Sequence, residues 1–139
     1  MSTVLCPYIN LRGDARDAVT FYHSVFGGEL TISTFGDYGI TDWPDQLDKV
    51  MHSRLVTPSG MVLMVSDVPE TMELTFGDSM SVCLGGEDEA DLTSWYERLS
   101  EGGEVRVPLS KAPWGDSFGE LRDRFGVRWL VNIAGSPAA

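Results

Sequence analysis

Asp14-Ala15-Arg16-Asp17-Ala18-Val19-Thr20-Phe21-Tyr22-His23-Ser24-Val25-Phe26-Gly27-Gly28-Glu29 is the stretch that decides the fold, because the chain says it twice. The second version is Asp88-Glu89-Ala90-Asp91-Leu92, then Trp95-Tyr96, then Leu99, then Gly102-Gly103-Glu104. Asp88 follows Asp14 by 74 residues (88 − 14 = 74), and Tyr96 follows Tyr22 by the same interval. The glycine pair follows by 75 (102 − 27 = 75), one residue having been gained between them. A repeat near half the chain length means two copies of one supersecondary unit, with a cleft between copies as the natural place for function.

Working outward, each copy reads as a helix with a strand before it and three after. Ala15, Ala18, Val19, Tyr22, Val25 and Phe26 form one 3.6-period stripe. Asp14 is its expected N-cap, with Asp17 three residues on in capping-box fashion, and Gly27-Gly28 is the stop. The second helix has an Asp88 cap, the stripe Leu92, Trp95, Tyr96 and Leu99, and the stop Gly102-Gly103. The leading strands are predicted at residues 4–9 and 80–84. The trailing strands are predicted at 29–35, 50–57 and 61–66, and again at 104–109, 117–122 and 128–133. Pro58-Ser59-Gly60 and Asp123-Arg124-Phe125-Gly126 supply turns.

The predicted architecture is α+β, two tandem βαβββ modules forming a curved mixed sheet, in one domain spanning 1–139. Module one covers 1–68, a linker 69–78, module two 79–134 and a frayed tail 135–139. Residues 36–49 are predicted to form a long, acidic, mobile loop carrying Tyr38 and Trp43.

Bulk properties narrow the function classes. The net charge of −11 disfavours nucleic acid and anionic membrane surfaces as partners. No apolar run approaches a membrane span, and the N-terminal residues lack the pattern of a signal peptide. Cys6 and Cys83 are too few for a disulfide framework. They are expected in corresponding strands as reduced, buried, structural thiols in a cytoplasmic protein.

Strand alternation singles out candidate site residues. In 50–57, Met51 and Leu55 fall on one side and His52 and Arg54 on the other. In 128–133, Trp129, Val131 and Ile133 oppose Arg128, Leu130 and Asn132. Strand 61–66, with Met64, is apolar on both faces except at Ser66. Polar groups within apolar walls are what a small-molecule site looks like.

Each candidate has two readings. His52 is a general base near neutral pH or a hydrogen-bonded structural histidine. Arg54 and Arg128 hold an anionic group of a ligand or form internal salt bridges. Asp67 orients one of these side chains or is a turn residue. Trp114 and Phe118 stack on a planar ligand or pack a subunit interface. Met51 and Met64 line an adaptable site or fill core. Ser66 and Asn132 complete the candidate ligand-binding set with Arg54, Met64, Trp114, Phe118 and Arg128. Nucleophile-elbow and phosphate-loop motifs are absent, and no glycine-rich turn after a parallel strand is expected to be available for a methyl-donor cofactor.

A series of motifs carries a family resemblance over nearly the whole chain. They are Pro7-Tyr8-Ile9, Phe21-Tyr22 with Phe26-Gly27-Gly28-Glu29, Val50-Met51-His52, Leu63-Met64 with Ser66-Asp67, and Pro108-Leu109. Trp114-Gly115-Asp116-Ser117-Phe118-Gly119 and Asp123-Arg124-Phe125-Gly126-Val127-Arg128-Trp129 complete the series. Together they resemble the vicinal oxygen chelate superfamily, which includes glyoxalase I, bleomycin and fosfomycin resistance proteins and extradiol dioxygenases. Within it the chain is most similar to the PhnB-like branch, named after a 3-demethylubiquinone methyltransferase-like domain.

The resemblance implies a cup-shaped fold, a homodimer and a small-molecule ligand. It also implies where metal-using members place His, Gln or Glu: on the first and last strands of each module. Here those positions fall at Pro7, near Met80 or Ser81, near Ser66 and near Leu130, a poor set for a divalent ion. The expected function is therefore binding of a small, partly apolar, anionic molecule without that metal or any other cofactor. The alternatives are a metal-dependent glyoxalase- or dioxygenase-type enzyme, with His52 and Asp67 in a displaced ligand set, and a drug-sequestering resistance protein.

Overall fold

Each helical stripe needs one apolar sheet face to cover it, and each half of the chain supplies its own. The structure, a computed structural model, describes residues 3–135. Met1, Ser2 and the tail from 136 onward, where fraying was expected, lie outside the described residues. The chain divides into two compact units, 1–75 and 76–139, the boundary falling inside the segment read as a linker.

The first unit runs β1 (Tyr8–Leu11), α1 (Ala15–Phe26), β2 (Glu29–Thr34), β3 (Val50–Val56) and β4 (Val62–Asp67). Its sheet has the order β1-β4-β3-β2, with β1 parallel to β4 and the other pairs antiparallel. The second unit runs β5 (Val82–Gly86), α2 (Glu89–Ser100), β6 (Glu104–Lys111), β7 (Ser117–Arg122) and β8 (Arg128–Ile133). Its order, β5-β8-β7-β6, and its parallel first pair repeat the plan. The fold is thus α+β, the described residues forming two α-helices and eight strands in two open, mixed, four-stranded sheets.

The six stripe residues of α1 are the six it buries. They cover Leu11, Leu55 and Val65, all close to fully buried. Side chains of this kind contribute about 1.5–3 kcal/mol each on burial. In α2, Leu92, Tyr96 and Leu99 are buried against the sheet of Leu121, Trp129 and Val131. Trp95, expected in that stripe, is only half-buried.

The Gly-Gly-Glu signature has a steric cause common to both copies. A Cβ on Gly28 would stand 2.0 Å from the carbonyl oxygen of Val56, and one on Gly103 would stand 2.3 Å from that of Arg122. Glu29 pairs with Val56, and Glu104 with Arg122, as the first rung of each hairpin. The glycine just before that rung passes directly over the partner strand's last carbonyl, so nothing larger fits.

Several expectations need correction. The leading strands begin later than predicted, at Tyr8 and Val82. Leu5 is fully exposed, and Pro7, which has no N–H, contributes only its carbonyl, accepting from the Met64 N–H. Asp14 occupies the N-cap position of α1 without a side-chain cap bond. The cap comes instead from Asp67, whose Oδ1 accepts the Ala15 N–H at 3.0 Å. Asp88 does cap α2 as expected, accepting the Asp91 N–H at 3.0 Å. Cys83 is exposed rather than buried, because it points away from α2 on β5, at the edge of its sheet. The 36–49 loop holds two short 3-10 turns, at Gly36–Tyr38 and Pro44–Gln46. It is closed by Phe35 N–H to Lys49 O and Gly36 N–H to Leu47 O, and Trp43 Nε1 donates to Thr71 Oγ1. Among the described residues no helix is long and apolar enough to cross a membrane.

Candidate functional site

Successive strand residues alternate between faces, so what α1 does not cover forms a second, open face. On the first unit's sheet, register aligns Tyr8, Met64, Arg54 and Thr31 in one row across β1, β4, β3 and β2. Asn10 with Ser66, and His52 with Ser33, belong to the same face. Four of the sequence-predicted residues, His52, Arg54, Met64 and Ser66, therefore come together there. The His52 and Tyr8 rings are stacked, with centroids 6.0 Å apart and planes 27° from parallel. His52 and Met64 are half-buried, Ser66 is buried and Arg54 is exposed. Among the described residues the Arg54 guanidinium has no hydrogen-bond or ion-pair partner; its backbone carbonyl takes a long bond from Thr31 Oγ1. Tyr8, Asn10, Thr31 and Ser33 were missed. Their period-2 alternation was visible, but only register puts them beside His52 and Arg54.

Asp67 is not part of this constellation. It ends β4 on the helix-facing side, 4% exposed, with Oδ1 on the Ala15 N–H and Oδ2 on the Val50 N–H, both 3.0 Å. Both oxygens are committed to backbone, and the carboxylate ties the start of α1 to the start of β3.

The second unit's open face carries Phe118, Glu120 and Arg122 on β7 opposite Asn132, Leu130 and Arg128 on β8. Trp114, on the β6–β7 loop and 65% exposed, meets Phe118 edge to face at 6.1 Å. Asn132 Nδ2 donates to Asp116 Oδ2 at 3.0 Å, and the Gly135 N–H donates to Asp116 Oδ1 at 2.9 Å. These two donors, that of Asn132 first, hold the Asp116 carboxyl below its ordinary value. Arg128 is ion-paired with Glu120 and also donates to the Asp78 carbonyl. Asp123 is a structural counterpart to Asp67: buried, it accepts from the Phe125 and Val127 N–H groups and from Trp129 Nε1.

The superfamily's metal finds few donors in this chain. Among the described residues no group of three His, Cys, Asp or Glu is placed to hold an ion. The best buried carboxylates, Asp67 and Asp123, have both oxygens occupied by N–H donors. The open faces offer hydroxyls, amides, a thioether, a single imidazole and Glu120, whose carboxylate is ion-paired with Arg128; these do not make the converging donor set that a divalent cation needs. One turn passed over in the sequence does run from a parallel strand through Gly85-Gly86 into α2. It carries Glu87, Asp88 and Glu89, and Asp88 already occupies the helix's Asp91 N–H, so it does not present an open anion cradle.

The model of the family described as 3-demethylubiquinone-9 3-methyltransferase matches residues 3–132. Protein YjdN of Escherichia coli is 23% identical, covering 93% of this chain and 94% of its own. The solved structure of PA1353 from Pseudomonas aeruginosa is 36% identical, with a TM-score of 0.85 over 97% of this chain and 100% of that one. A PhnB protein of Bacillus cereus, described as a 3-demethylubiquinone-9 3-methyltransferase, is 26% identical with a TM-score of 0.76, covering 95% and 100%. A glyoxylase/bleomycin resistance protein/dioxygenase domain from Frankia shares the fold at a TM-score of 0.69 and 16% identity, covering 100% of this chain and 96% of that one. The chain therefore belongs to the PhnB-like family described as 3-demethylubiquinone-9 3-methyltransferase, on the fold of the glyoxalase/bleomycin resistance/dioxygenase proteins.

Proposed function

We propose that this protein binds a small, partly apolar molecule with an anionic group, and does so without the divalent ion of the metal-using superfamily members. The observation that carries the reading is the open face of the first sheet. An arginine without an ionic partner, Arg54, stands in register with Met64 and Tyr8, next to a histidine stacked on that tyrosine. A guanidinium recognises carboxylate or phosphate oxygens bidentately, and the thioether and rings supply apolar contact. Ser66 and His52 add hydrogen bonds that orient the ligand. His52 is the group able to accept a proton near neutral pH if the bound molecule reacts. Taken by itself, the second unit offers its own candidate ligand contacts in Trp114, Phe118 and Asn132, the two rings giving an edge-to-face aromatic surface. The proposal includes a homodimer in the cytoplasm; Val4, Leu5 and Met61 are exposed apolar side chains suited to pairing.

Native mass spectrometry of tag-free protein, before and after EDTA, tests the reading. The expected result is a dimer without stoichiometric metal, carrying a small co-purified molecule. That molecule is then titrated against Arg54→Gln and His52→Ala. Loss of one charge-assisted contact should weaken binding about tenfold or more in Arg54→Gln. One divalent ion per chain, removed by EDTA, overturns the metal-free reading, and unchanged affinity in Arg54→Gln overturns the site.

A further inference from the structure

Arg122 and Arg128 are direct cross-strand partners at the end of the β7–β8 hairpin, so both guanidinium stems rise from one spot on the open face of the second sheet. Like charges placed directly opposite are destabilising unless something compensates them. The protein supplies one compensating group. Glu120, two residues before Arg122 on the same face, is ion-paired with Arg128. Arg128 also donates to the Asp78 carbonyl, so both of its terminal nitrogens are engaged and its orientation is pinned.

Arg122 has nothing equivalent. Among the described residues its side chain has no hydrogen-bond or ion-pair partner, including Glu104, its register neighbour on β6. The Nε atoms of Arg122 and Arg128 are both shielded from solvent and both without an acceptor. Shielded donors of this kind cost free energy until an acceptor arrives. Glu120 is ion-paired with Arg128, Glu104 stands in register with Arg122 without an ion pair among the described residues, and two N–H donors are left unfilled. An incoming anion would supply the acceptor that these shielded donors lack.

We infer that Arg122 and Arg128 form an oxyanion subsite, taking a carboxylate or phosphate group whose oxygens accept from the two guanidinium edges. Arg128, held by Glu120 and Asp78, is the fixed wall; Arg122 is the side chain that closes on the anion. The subsite rests on the second unit's own geometry, so it stands whether or not the first unit's face binds a ligand.

The test is titration of the full chain with inorganic phosphate, and separately with acetate, following the Nε–Hε resonances of the arginines by NMR at low ionic strength. The expected result is saturable shifts of the Arg122 and Arg128 signals with at least one of the two anions, the preferred one naming the ligand group. In Arg122→Gln the affinity should fall about tenfold or more, the cost of losing one charge-assisted contact. Arg122→Gln should melt at or above the wild-type temperature, because the Arg122 side chain makes no hydrogen bond or ion pair among the described residues and faces a like charge, and it therefore separates lost binding from lost folding. Shifts of the Arg54 signal alone, with the Arg122 and Arg128 signals unmoved, would place the anion on the first unit's face and overturn this subsite. Shifts that fail to saturate with either anion, or that persist in Arg122→Gln, overturn the subsite.

Discussion

Replacing Asp67 by alanine should cost more than any surface change on this protein, and for a reason the structure makes specific. The Asp67 carboxylate is 4% exposed and takes two backbone N–H groups at 3.0 Å, from Ala15 and from Val50. The first is one of the donors a helix start leaves without an intrahelical partner. The second lies at the start of β3, where the β2–β3 register shifts between Ser33 and Thr34. Alanine removes two charge-assisted bonds, each contributing about 1.5–3 kcal/mol, and leaves the two donors unsatisfied. Relief of the carboxylate's own burial penalty offsets part of this, giving a net loss of about 3–4 kcal/mol. Against a total stability of about 5–15 kcal/mol that is a large fraction. With a urea slope of about 2 kcal/mol per molar, the unfolding midpoint should fall by about 1.5–2 M. Asp67→Asn keeps one acceptor but turns an amide donor toward an N–H, and should lose about 2 kcal/mol. Urea unfolding followed by circular dichroism reads both, and hydrogen exchange should show the Ala15 and Val50 amides losing protection. A loss under about 1 kcal/mol with both amides still protected would refute the clamp.

Gly28→Ala and Gly103→Ala should each destabilise the chain by more than about 2 kcal/mol, because each new methyl meets a strand carbonyl; a thermal shift under a few degrees in either variant contradicts the steric account. Asp116 carries a pH signature. Its carboxyl titrates below the ordinary value, so its contribution is present in full above about pH 4 and is lost as pH falls through the lowered native value. Asp116→Ala should therefore melt below wild type near neutrality, with the difference closing as pH drops well under 4; a gap that persists in strong acid removes the carboxylate from the explanation.

The first helix was legible to the residue, and the second in outline, because the signal is local. A 3.6-residue period fixes which side chains share a stripe before any partner is known, and all six of the α1 stripe residues are buried. The strand faces of β3 and β8 were legible for the same reason, at a period of two. What failed was chemistry that looks identical in sequence but is decided at a distance. Asp14 and Asp88 occupy equivalent places in the repeat, yet only Asp88 caps its helix. Asp67, 52 residues away from Ala15, takes over at the first. Cys83 reads as buried in an apolar strand, but the side of β5 it points to is the uncovered one.

The sequence by itself determined two copies of βαβββ, the helix stripes, the glycines at the hairpin entrances and the family. These follow from periodicity and from backbone sterics, which act over a few residues. Only the tertiary structure decided which polar groups meet. Register set Arg54 beside Met64 and Tyr8, faced Arg122 with Arg128, and gave Glu120 to Arg128 alone. Register is a choice among pairings that differ by whole-strand shifts. It is fixed by the summed burial of one face and by turn geometry, so no short stretch of sequence contains it.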